Sequence, residues 1–510
     1  MMTASDYRSD IPSGHKLSEL LAGLAVVEAA CERDIGGLSI DSRTTQPGDL
    51  FLACPGSHAH GQNFIEAAIQ AGAVAVVWEA DPLFPGSPAA CTGPAVPMFG
   101  IEGLRQKVGV IADRFYQHPS QALCVTGITG TNGKTSVSHF IAQALSPNCG
   151  LIGTLGSGVY GNLRPGTHTT PDAVTLHATL NDLRQRGVRQ VVMEASSHGL
   201  EQGRVSGVQF NLAVFTNLSR DHLDYHGTME AYAEAKRHLL LSPGLRYAVI
   251  NADDSYGREL LAALPAGVQA LSYGFTAAAL GSVPAVRGSN LQLSAGGVEL
   301  DVNTPWGDGH LHSSLLGRFN ASNLLAALAV LLLLEIPFAE ALERIARSRT
   351  LPGRMECFGG AGQPLVVVDY AHTPDALEQV LYALREHLAC GARLWCVFGC
   401  GGERDRGKRP LMGAAAEEFA DYVVVTDDNP RHEDPLAIIT DILSGMTNPD
   451  GVYIQRVRAQ AIAFAITYAR PGDIVLIAGK GHEEYQQVGD QRLPFSDRQQ
   501  VYELLNKAGQ

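Results

Sequence analysis

The chain has 510 residues, of which 45% are hydrophobic and 18% are charged, so it has enough apolar material for about three α/β domains and no compositional sign of disorder. Its formal net charge of −14 argues against a general binder of nucleic acid or anionic membranes. Nine scattered cysteines without paired metal-ligand spacing indicate reduced thiols in a cytoplasmic protein, rather than disulfides or a zinc site. Residues 1–10 are not typical of a secretion signal, and the longest aliphatic run, residues 324–334, is too short to span a bilayer.

The first stretch, residues 15–115, shows strand patterns but no clear ligand. Residues 38–53 alternate strand-like segments with a turn at Pro47-Gly48, residues 67–78 predict a helix followed by a strand, and residues 81–97 predict a loop. Polar groups in Asp41-Ser42-Arg43 and Ser57-His58-Ala59 follow predicted strands. Ordinary turn polarity explains them as well as ligand binding does.

A glycine-rich stretch, residues 127–136, follows an apolar run at 122–126 and precedes a predicted helix at 137–145. Such a strand-to-helix turn can hold a phosphate through backbone N–H groups, while Lys134 reaches the terminal phosphates and Thr135 binds Mg²⁺. The spacing departs from the standard phosphate loop, because the first glycine, Gly127, lies one residue earlier. We predict a nucleotide site here; a glycine-rich turn without a ligand is the alternative.

Two more buried strands, within residues 189–198 and 210–217, bring Glu194 and the segment containing His222 to the same sheet edge. Glu194 suits Mg²⁺, whereas a histidine is a less usual ligand for so hard an ion. Taken singly, each residue is more often structural, but their joint placement favours a metal and phosphate site. Lys236 lies on an amphipathic helix, residues 229–241, and its spacing alone indicates an ordinary solvated lysine.

The remaining chain predicts a small β-hairpin addition at 268–314, caps for the apolar helix at 317–323 and a linker at 351–354. Residues 355–510 then alternate strands and helices in the pattern of a doubly wound, Rossmann-like sheet without a dinucleotide fingerprint. The strands are predicted at 365–370, 393–399, 422–427, 452–457 and 473–478, and the helices near 374–388, 410–420, 436–446 and 458–469. Polar clusters follow four of these strands, which predicts a ligand-binding edge.

The motifs together resemble those of the Mur ligases along nearly the whole chain. They are Gly130-Thr-Asn-Gly-Lys-Thr135, Glu194-Ala-Ser-Ser-His198, Asn217-Leu-Ser-Arg-Asp-His222, Asp369-Tyr-Ala-His372, Asp428-Asn-Pro-Arg431 and Gly479-Lys-Gly-His482. The glycine-loop spacing is the usual one in that family. The resemblance implies an α/β fold of three domains: 1–115 binding a UDP-sugar, 116–350 with a P-loop-type mononucleotide-binding sheet for ATP, and 351–510 with a Rossmann-like sheet for an amino acid.

The family consists of ATP-dependent amide-bond-forming ligases of peptidoglycan synthesis, which serve cell-wall biogenesis, cell shape and cell division. Within it, the chain looks like the enzymes that add the third residue to UDP-N-acetylmuramoyl-L-alanyl-D-glutamate. The implied mechanism phosphorylates the D-glutamate side-chain carboxylate to an acyl phosphate, which the incoming amine displaces, so that ADP and phosphate are released.

The resemblance assigns a role to each matching residue. The implied catalytic residues are Lys134, Glu194, His222 and Lys236. The implied ATP-binding residues are Gly130, Thr131, Asn132, Gly133, Lys134, Thr135, Ser136 and Asn320. Asn323 lies near the nucleotide in the family too, although helix capping explains both asparagines. The implied ligands of Mg²⁺ are Thr135, Glu194, His222 and Lys236, the last carrying a CO₂-derived carbamate (N6-carboxylysine).

The remaining implied residues bind the other two substrates. Those for the UDP-sugar peptide are Ile40, Ser42, Ser57, His58, Ala59, Thr169, Thr170, Ser196, Gln202 and Arg204. Those for diaminopimelate are Arg404, Asp428, Asn429, Pro430, Arg431, Gly479 and Glu483.

Specificity for the added amino acid depends on Arg431 in this interpretation. Its planar guanidinium can bind the distal carboxylate of meso-diaminopimelate through two hydrogen bonds, a group that L-lysine lacks, while Glu483 suits the distal ammonium. The alternative is a turn at Asn429-Pro430 in which Arg431 only pairs with Glu433 or Asp434.

Three other functions remain open. The L-lysine-adding enzyme of the same step and a ligase like folylpolyglutamate synthetase would share the mechanism. A catalytically idle nucleotide-binding scaffold would share only the three-domain fold. We expect a cytoplasmic monomer with small-molecule substrates and no nucleic-acid or membrane partner.

Overall fold

The computed structural model describes residues 14–56, 59–80, 96–166, 168–276, 283–360 and 362–507. Most of the predicted loop at 81–97, together with Ser57 and His58, lies outside these ranges. The described chain divides into two compact units. The first takes its residues from Met1–Arg287, Thr304–Trp306 and Leu325–Pro337, and the second from Gly288–Asn303, Gly307–Leu324 and Phe338–Gln510. The three domain boundaries expected from the sequence stay a prediction.

The first part of the first unit is a four-stranded parallel sheet in the order β3-β4-β5-β6. Its elements are β1 (His15–Lys16), α1 (Leu17–Leu20), β2 (Asp34–Ile35), β3 (Gly37–Ser39), β4 (Asp49–Ala53), α2 (Ile65–Gln70), β5 (Ala75–Glu79), β6 (Met98–Ile101) and α3 (Leu104–Phe115). Alternate residues of β4 face opposite sides: Leu50 and Leu52 pack in the core that contains α3, and Phe51 packs in the core that contains α2. The two strands predicted within 38–53 are thus confirmed.

The next part of the first unit alternates strands and helices. Its elements are β7 (Cys124–Thr129), α4 (Lys134–Leu145), β8 (Cys149–Gly153), β9 (Gly156–Val159), β10 (Asn162–Arg164), α5 (Ala173–Gln185), β11 (Gln190–Glu194), α6 (Ser197–Glu201), β12 (Leu212–Phe215), α7 (Leu223–His226), α8 (Met229–Leu240), β13 (Tyr247–Asn251), α9 (Ser255–Ala262) and β14 (Gln269–Gly274).

These strands form a sheet in the order β10-β9-β8-β11-β7-β12-β13-β14. Strand β7 runs parallel to both neighbours, and Ile128 lies opposite Glu194 of β11 and Val214 of β12. The glycine-rich loop leaves the carboxyl end of β7, so the ends of β11 and β12 flank it. This arrangement gives the loop and Glu194 the shared sheet edge that the sequence predicts.

Residues 268–314 differ from the expected small hairpin. Strand β14 is a parallel member of the sheet just described, paired with β13. It is followed by β15 (Ala285–Ser294), β16 (Gly297–Thr304) and β17 (Gly307–Ser313). The sequence does not predict β14 as a member of the parallel sheet, because its apolar run is short and the alternating pattern of β15 to β17 dominates the segment.

Two helices, α10 (Arg318–Leu333) and α11 (Phe338–Ala346), come next. Helix α10 starts earlier than expected, so Asn320 and Asn323 lie within its first two turns and do not cap it. The Nδ2 group of Asn320 instead donates to the carbonyl of Leu316 at 2.8 Å. The apolar residues 324–332 of α10 are buried, as predicted, whereas Phe319 in its first turn is exposed. No helix of the described residues is long and apolar enough to cross a membrane.

The rest of the second unit is built on a six-stranded sheet in the order β18-β19-β23-β20-β21-β22, parallel except for β18. Its elements are β18 (Glu356–Gly359), β19 (Leu365–Asp369), α12 (Pro374–Arg385), β20 (Leu394–Phe398), α13 (Lys408–Phe419), β21 (Tyr422–Val425), α14 (Pro435–Leu443), β22 (Tyr453–Ile454), α15 (Arg458–Tyr468), β23 (Ile474–Ala478), β24 (Tyr485–Val488), β25 (Gln491–Pro494) and α16 (Asp497–Lys507).

Helices cover both faces of this sheet. One core contains Leu377 of α12, Met412 of α13 and Ile438 of α14, and the other contains Ile462 of α15 and Val501 of α16. The doubly wound fold predicted for the C-terminal part is therefore confirmed. Strands β19, β20, β21 and β23 are parallel, so the polar segments that follow them share one edge.

Candidate active site

The glycine-rich loop adopts a conformation that only glycine accepts at its first turn. Gly130 has φ of +145°, and a Cβ there would lie 1.9 Å from Oγ1 of Thr216. The loop is held on its other side by Asn217, which accepts from the backbone N–H groups of Thr131 and Asn132, each at 2.9 Å. Helix α4 then begins at Lys134, so its first N–H groups have no partner within the helix and are available to an anion.

Lys134 and Lys236 meet at this loop. The Nζ atom of Lys134 donates to the carbonyls of Gly130 and Thr131, and the Nζ atom of Lys236 donates to the carbonyl of Gly130, all at 2.8 Å. Lys236 is buried and its ammonium lies 4.2 Å from the centroid of the Tyr232 ring. The expectation of a solvated lysine from its spacing is therefore wrong, because α8 packs this residue against the loop.

Burial, followed by the charge of Lys134, lowers the pKa of Lys236 to about 6. Burial also lowers the pKa of Lys134, although nearby Glu194 and Asp221 oppose that effect. At neutral pH Lys236 is therefore largely an uncharged amine, which is a nucleophile.

Glu194 lies at the end of β11 and is 1% exposed. Its carboxylate accepts from Oγ1 of Thr135 at 2.8 Å and from the backbone N–H and hydroxyl of Thr154 at 2.9 and 3.2 Å. All these donors are neutral, and burial raises the pKa of Glu194 above its ordinary value. A buried carboxylate with only neutral partners, beside a threonine hydroxyl, suits a hard cation.

His222 occupies the exposed side of the same region. It has φ of +52°, and its ring lies 4.9 Å from that of His198 and 6.0 Å from that of Tyr232, centroid to centroid. Tyr232 thus contacts both His222 and Lys236. The four residues expected to be catalytic, Lys134, Glu194, His222 and Lys236, are brought to one edge of one sheet.

The residues present fit Mg²⁺ at this edge. Within the described ranges, no group of three or more His, Cys, Asp or Glu side chains is arranged to hold a metal ion. Mg²⁺ does not require one, because it usually takes one or two protein oxygens together with waters and substrate phosphates. Thr135 and Glu194 can supply those oxygens beside the phosphate loop.

Four of the residues expected to bind the UDP-sugar peptide form one hydrogen-bonded group. Oγ1 of Thr170 contacts Oγ of Ser196 at 3.0 Å, and Arg204 donates to the carbonyl of Thr170 at 2.9 Å. Arg204 also donates from Nη2 to Oε1 of Gln202 at 2.7 Å. Thr169 lies beside the group and contacts Thr154, the partner of Glu194, at 3.0 Å.

The other residues expected for this ligand lie on the N-terminal sheet. Ile40 and Ser42 follow β3, and Ala59 follows β4. Ile40 is exposed, as a ligand-contacting apolar residue must be. Ser57 and His58 fall outside the described residues.

The second unit brings most of the residues expected for the amino acid together at the carboxyl edge of its sheet. Asn429 donates from Nδ2 to Oε2 of Glu483 at 3.0 Å, and a Cβ on Gly479 would lie 2.8 Å from Oδ2 of Asp428. Asp428 is largely buried, yet in the described part of the chain its carboxylate has no hydrogen-bond partner. This leaves a carboxylate available to an ammonium group.

Arg431 is held by its backbone and by one of its guanidinium nitrogens. It has φ of +52°, its backbone N–H donates to Gln487, and Nη1 donates to the carbonyl of Gly402 at 2.6 Å. Glu433 pairs with Arg409 instead and Asp434 caps α14, so the alternative pair of Arg431 with Glu433 or Asp434 is not seen among the described residues. Nε and Nη2 of Arg431 make no hydrogen bond to the described residues, and they can bind a carboxylate. Arg404 is exposed on the neighbouring loop.

Sequence reasoning missed three residues that support these groups. Thr154, which holds Glu194, lies in a turn without a motif and gave no signal. Lys480 stands inside the quoted Gly479-Lys-Gly-His motif, and Arg458 pairs with Asp497 at 2.8 Å in the core. A lysine at the end of an apolar strand, or an arginine in an apolar helix, is a signal that could have identified the last two.

The sheet, the glycine loop and the buried lysines define an α/β protein of the phosphate-loop class. Three family models match the chain: "Mur ligase family, catalytic domain" over residues 34–116, "Mur ligase middle domain" over 128–331, and "Mur ligase, glutamate ligase domain" over 353–481.

Curated relatives match at high identity. The UDP-N-acetylmuramoyl-L-alanyl-D-glutamate--2,6-diaminopimelate ligase of Pseudomonas aeruginosa is 51% identical, with 93% of this chain and 96% of the relative covered. The protein of the same name from Coxiella burnetii is 49% identical, with 92% and 96% covered. A solved structure of a ligase of that name superposes with a TM-score of 0.76 at 36% identity, covering 98% of this chain and all of the other. The chain belongs to the Mur ligase family, and it is a ligase.

Proposed function

We propose that this chain is the ATP-dependent ligase that adds meso-diaminopimelate to UDP-N-acetylmuramoyl-L-alanyl-D-glutamate in peptidoglycan precursor synthesis. The support is the name shared by relatives about half identical over more than nine-tenths of the chain. One structural observation adds to it: within the part of the chain that the structure describes, two guanidinium nitrogens of Arg431 and the carboxylate of Asp428, in the same segment, have no partner. A free amino-acid end carries a carboxylate and an ammonium, and these groups complement both.

The first unit provides the groups for phosphoryl transfer. Lys134 and the N–H groups of the loop bind and orient the ATP phosphates, while Thr135 and Glu194 would hold Mg²⁺ with His222 nearby. Mg²⁺, when bound, offsets the charge of the phosphates. The D-glutamate side-chain carboxylate attacks the γ-phosphorus, the bond to ADP breaks, and the amine of diaminopimelate then displaces phosphate from the acyl phosphate. Most of the catalysis is positioning and charge stabilisation.

Lys236 takes up CO₂ as a carbamate in this proposal. The uncharged amine is the form that attacks CO₂, and the low pKa of Lys236 keeps it in that form. The resulting anion would add an oxygen ligand beside Thr135 and Glu194. Thr170, Ser196, Gln202 and Arg204 form the part of the UDP-sugar-peptide site on this unit.

Phosphate release tests the proposal. We expect the purified protein to release phosphate from ATP with the UDP-linked dipeptide and meso-diaminopimelate, and not with L-lysine, because lysine leaves Arg431 without its carboxylate. Lys134→Met is the control and should release none. Phosphate release with L-lysine would support the ligase reaction but overturn the proposed specificity for diaminopimelate. Release with neither would favour a folylpolyglutamate-type ligase or an idle scaffold.

We further propose that the protein works as a cytoplasmic monomer. Light scattering after size exclusion at assay concentration should give the mass of one chain, and a mass of two chains would overturn this.

A further inference from the structure

Lys480 is a fully buried lysine that the proposed reaction does not use. It lies two residues after Ala478, the last residue of β23, and is 0% exposed. Its Nζ donates to Oε2 of Glu483 at 2.9 Å and to Oδ1 of Asn429 at 3.1 Å, and it lies 5.5 Å from the centroid of the Tyr485 ring. Because burying an ammonium is costly unless it is paired, these contacts are a strong constraint on both partners.

The two oxygens of Glu483 are used unequally. Oε2 accepts from Lys480 and from Nδ2 of Asn429, whereas Oε1 has no hydrogen-bond partner in the described ranges. Burial acts to raise the pKa of Glu483, but the hydrogen bond and charge of Lys480 hold that pKa below its ordinary value. Glu483 is therefore an anion with one oxygen engaged and one available.

Asn429 is held in a single orientation by the same lysine. Its Oδ1 accepts from Lys480 and from the backbone N–H of Gln487 at 2.8 Å, which directs Nδ2 toward Glu483. Without Lys480 the amide would lose one of the two donors that select this orientation.

Two ion pairs lie around Lys480. Lys480 pairs with Glu483, and Arg458 pairs with Asp497 while also donating to the carbonyl of Ala478 at 2.9 Å. Asp428 makes no ion pair within the described residues. Its carboxylate and Oε1 of Glu483 are therefore two acceptors for an ammonium group, while Arg431 is a separate cation of the same segment that suits a carboxylate.

We propose that Lys480 is a positioning residue for the amino-acid substrate. It fixes Glu483 and Asn429 so that Oε1 of Glu483, together with Asp428, accepts the distal ammonium of the substrate, and it does not touch the substrate itself. This inference rests on the proposed function, because it requires diaminopimelate to bind at this edge.

Steady-state kinetics of native protein and of the variants Lys480→Met, Glu483→Gln and the double variant test the inference. We expect Lys480→Met to raise the KM for diaminopimelate by at least about 10-fold, with the KM values for ATP and the UDP-linked dipeptide changed by less than about 2-fold. Glu483→Gln should raise the same KM. Because Lys480 acts through Glu483, the double variant should be no worse than Glu483→Gln by more than about 2-fold.

Lys480→Arg supplies the conservative rescue, since it can donate to the same two oxygens, and it should restore much of the lost affinity. A purely structural lysine would lower the unfolding temperature and shift all three KM values together, which would overturn the proposal. An unchanged KM for diaminopimelate, or effects that simply multiply in the double variant, would also overturn it.

Two further results separate the possible failures. If Lys480→Met does not fold, Lys480→Gln, which keeps a side-chain donor, takes its place. We expect the same rise in the KM for diaminopimelate, and an unchanged KM would overturn the proposal. If native protein shows no diaminopimelate-dependent phosphate release, the proposed function and this inference both fail. If native protein is active but the KM is insensitive to Lys480, only the inference fails.

Discussion

Lys134 and Lys236 share one acceptor, the carbonyl oxygen of Gly130, to which each donates from Nζ at 2.8 Å. Two ammonium groups converging on one carbonyl repel each other, and Lys236 is the more constrained of the two because Tyr232 and α8 bury it. Burial lowers the pKa of both lysines, and the pKa of about 6 makes Lys236 available as an uncharged amine.

Removing CO₂ should inactivate the protein reversibly. In buffer depleted of CO₂ we expect phosphate release to fall by at least about 10-fold, and added bicarbonate to restore it, because the uncharged Lys236 amine forms a carbamate. Lys236→Arg, which keeps a cation and cannot form the carbamate, should be inactive with or without bicarbonate. Phosphate release by the native protein that does not depend on CO₂ would contradict carbamylation of Lys236.

Lys236 should also make stability depend on pH. Its pKa is about 6 in the fold and 10.5 as the ordinary value, so between these pH values the unfolded chain binds a proton that the folded chain does not. Unfolding free energy should therefore rise with pH across this window, with a contribution on the order of a few kcal/mol.

Lys236→Met should reduce that slope and stabilise the protein near pH 7. Denaturant unfolding at several pH values, in CO₂-depleted buffer, measures both the pH slope of the unfolding free energy and its value near pH 7. Identical slopes for native and variant would show that Lys236 is protonated in the fold.

Arg431→Lys should impair use of diaminopimelate selectively. A lysine loses the fork that binds a carboxylate through two hydrogen bonds, so we expect the KM for diaminopimelate to rise about 10- to 100-fold with little change in the KM for ATP. Arg470→Lys, at an exposed position of the same unit, is the matched control and should behave as native. Equal effects of the two substitutions on the KM for diaminopimelate would show that Arg431 does not bind this substrate.

Gly130→Ala should disrupt the phosphate loop. The Cβ would approach Thr216 to 1.9 Å at a φ of +145°, so the loop must move and displace the carbonyl that holds both lysines. We expect kcat/KM for ATP to fall by at least about 100-fold. Gly296→Ala, where the nearest atom is 3.4 Å from the new Cβ and φ is not positive, should be nearly neutral.

Arg458→Met should destabilise the second unit, because it leaves Asp497 as an unpaired buried charge. Breaking such a pair costs about 3–5 kcal/mol, whereas replacing both partners with apolar residues is often close to neutral. The double variant Arg458→Met/Asp497→Leu should therefore recover much of the loss in denaturant unfolding. Arg498→Met, which breaks a part-exposed pair with Glu356, should cost less. A double variant no better than Arg458→Met would show that packing, rather than charge, dominates.

The candidate site could be predicted from the sequence where its signal is local. The glycines, Lys134 and Thr135 stand together in one strand-to-helix turn, and Asp428 to Arg431 stand together in another. Thr154 could not be predicted, because its contact with Glu194 joins residues 40 positions apart and depends on the pairing of β8 with β11. The spacing of Lys236 alone indicates a solvated lysine for the same reason, because its partner, Gly130, is 106 positions away; only the family resemblance implies its role.

The sequence by itself determined the parallel α/β sheets and the glycine loop, because apolar runs, helix periodicity and glycine turns depend on neighbouring residues. Only the tertiary structure decided which side chains are charged or available. Burial lowers the pKa of Lys236 and makes it an amine, and burial raises the pKa of Glu194 among neutral hydrogen-bond donors. The contacts of Lys480 engage one oxygen of Glu483, while the other makes no hydrogen bond to the described residues. These properties follow from desolvation and from long-range pairing, which no local pattern records.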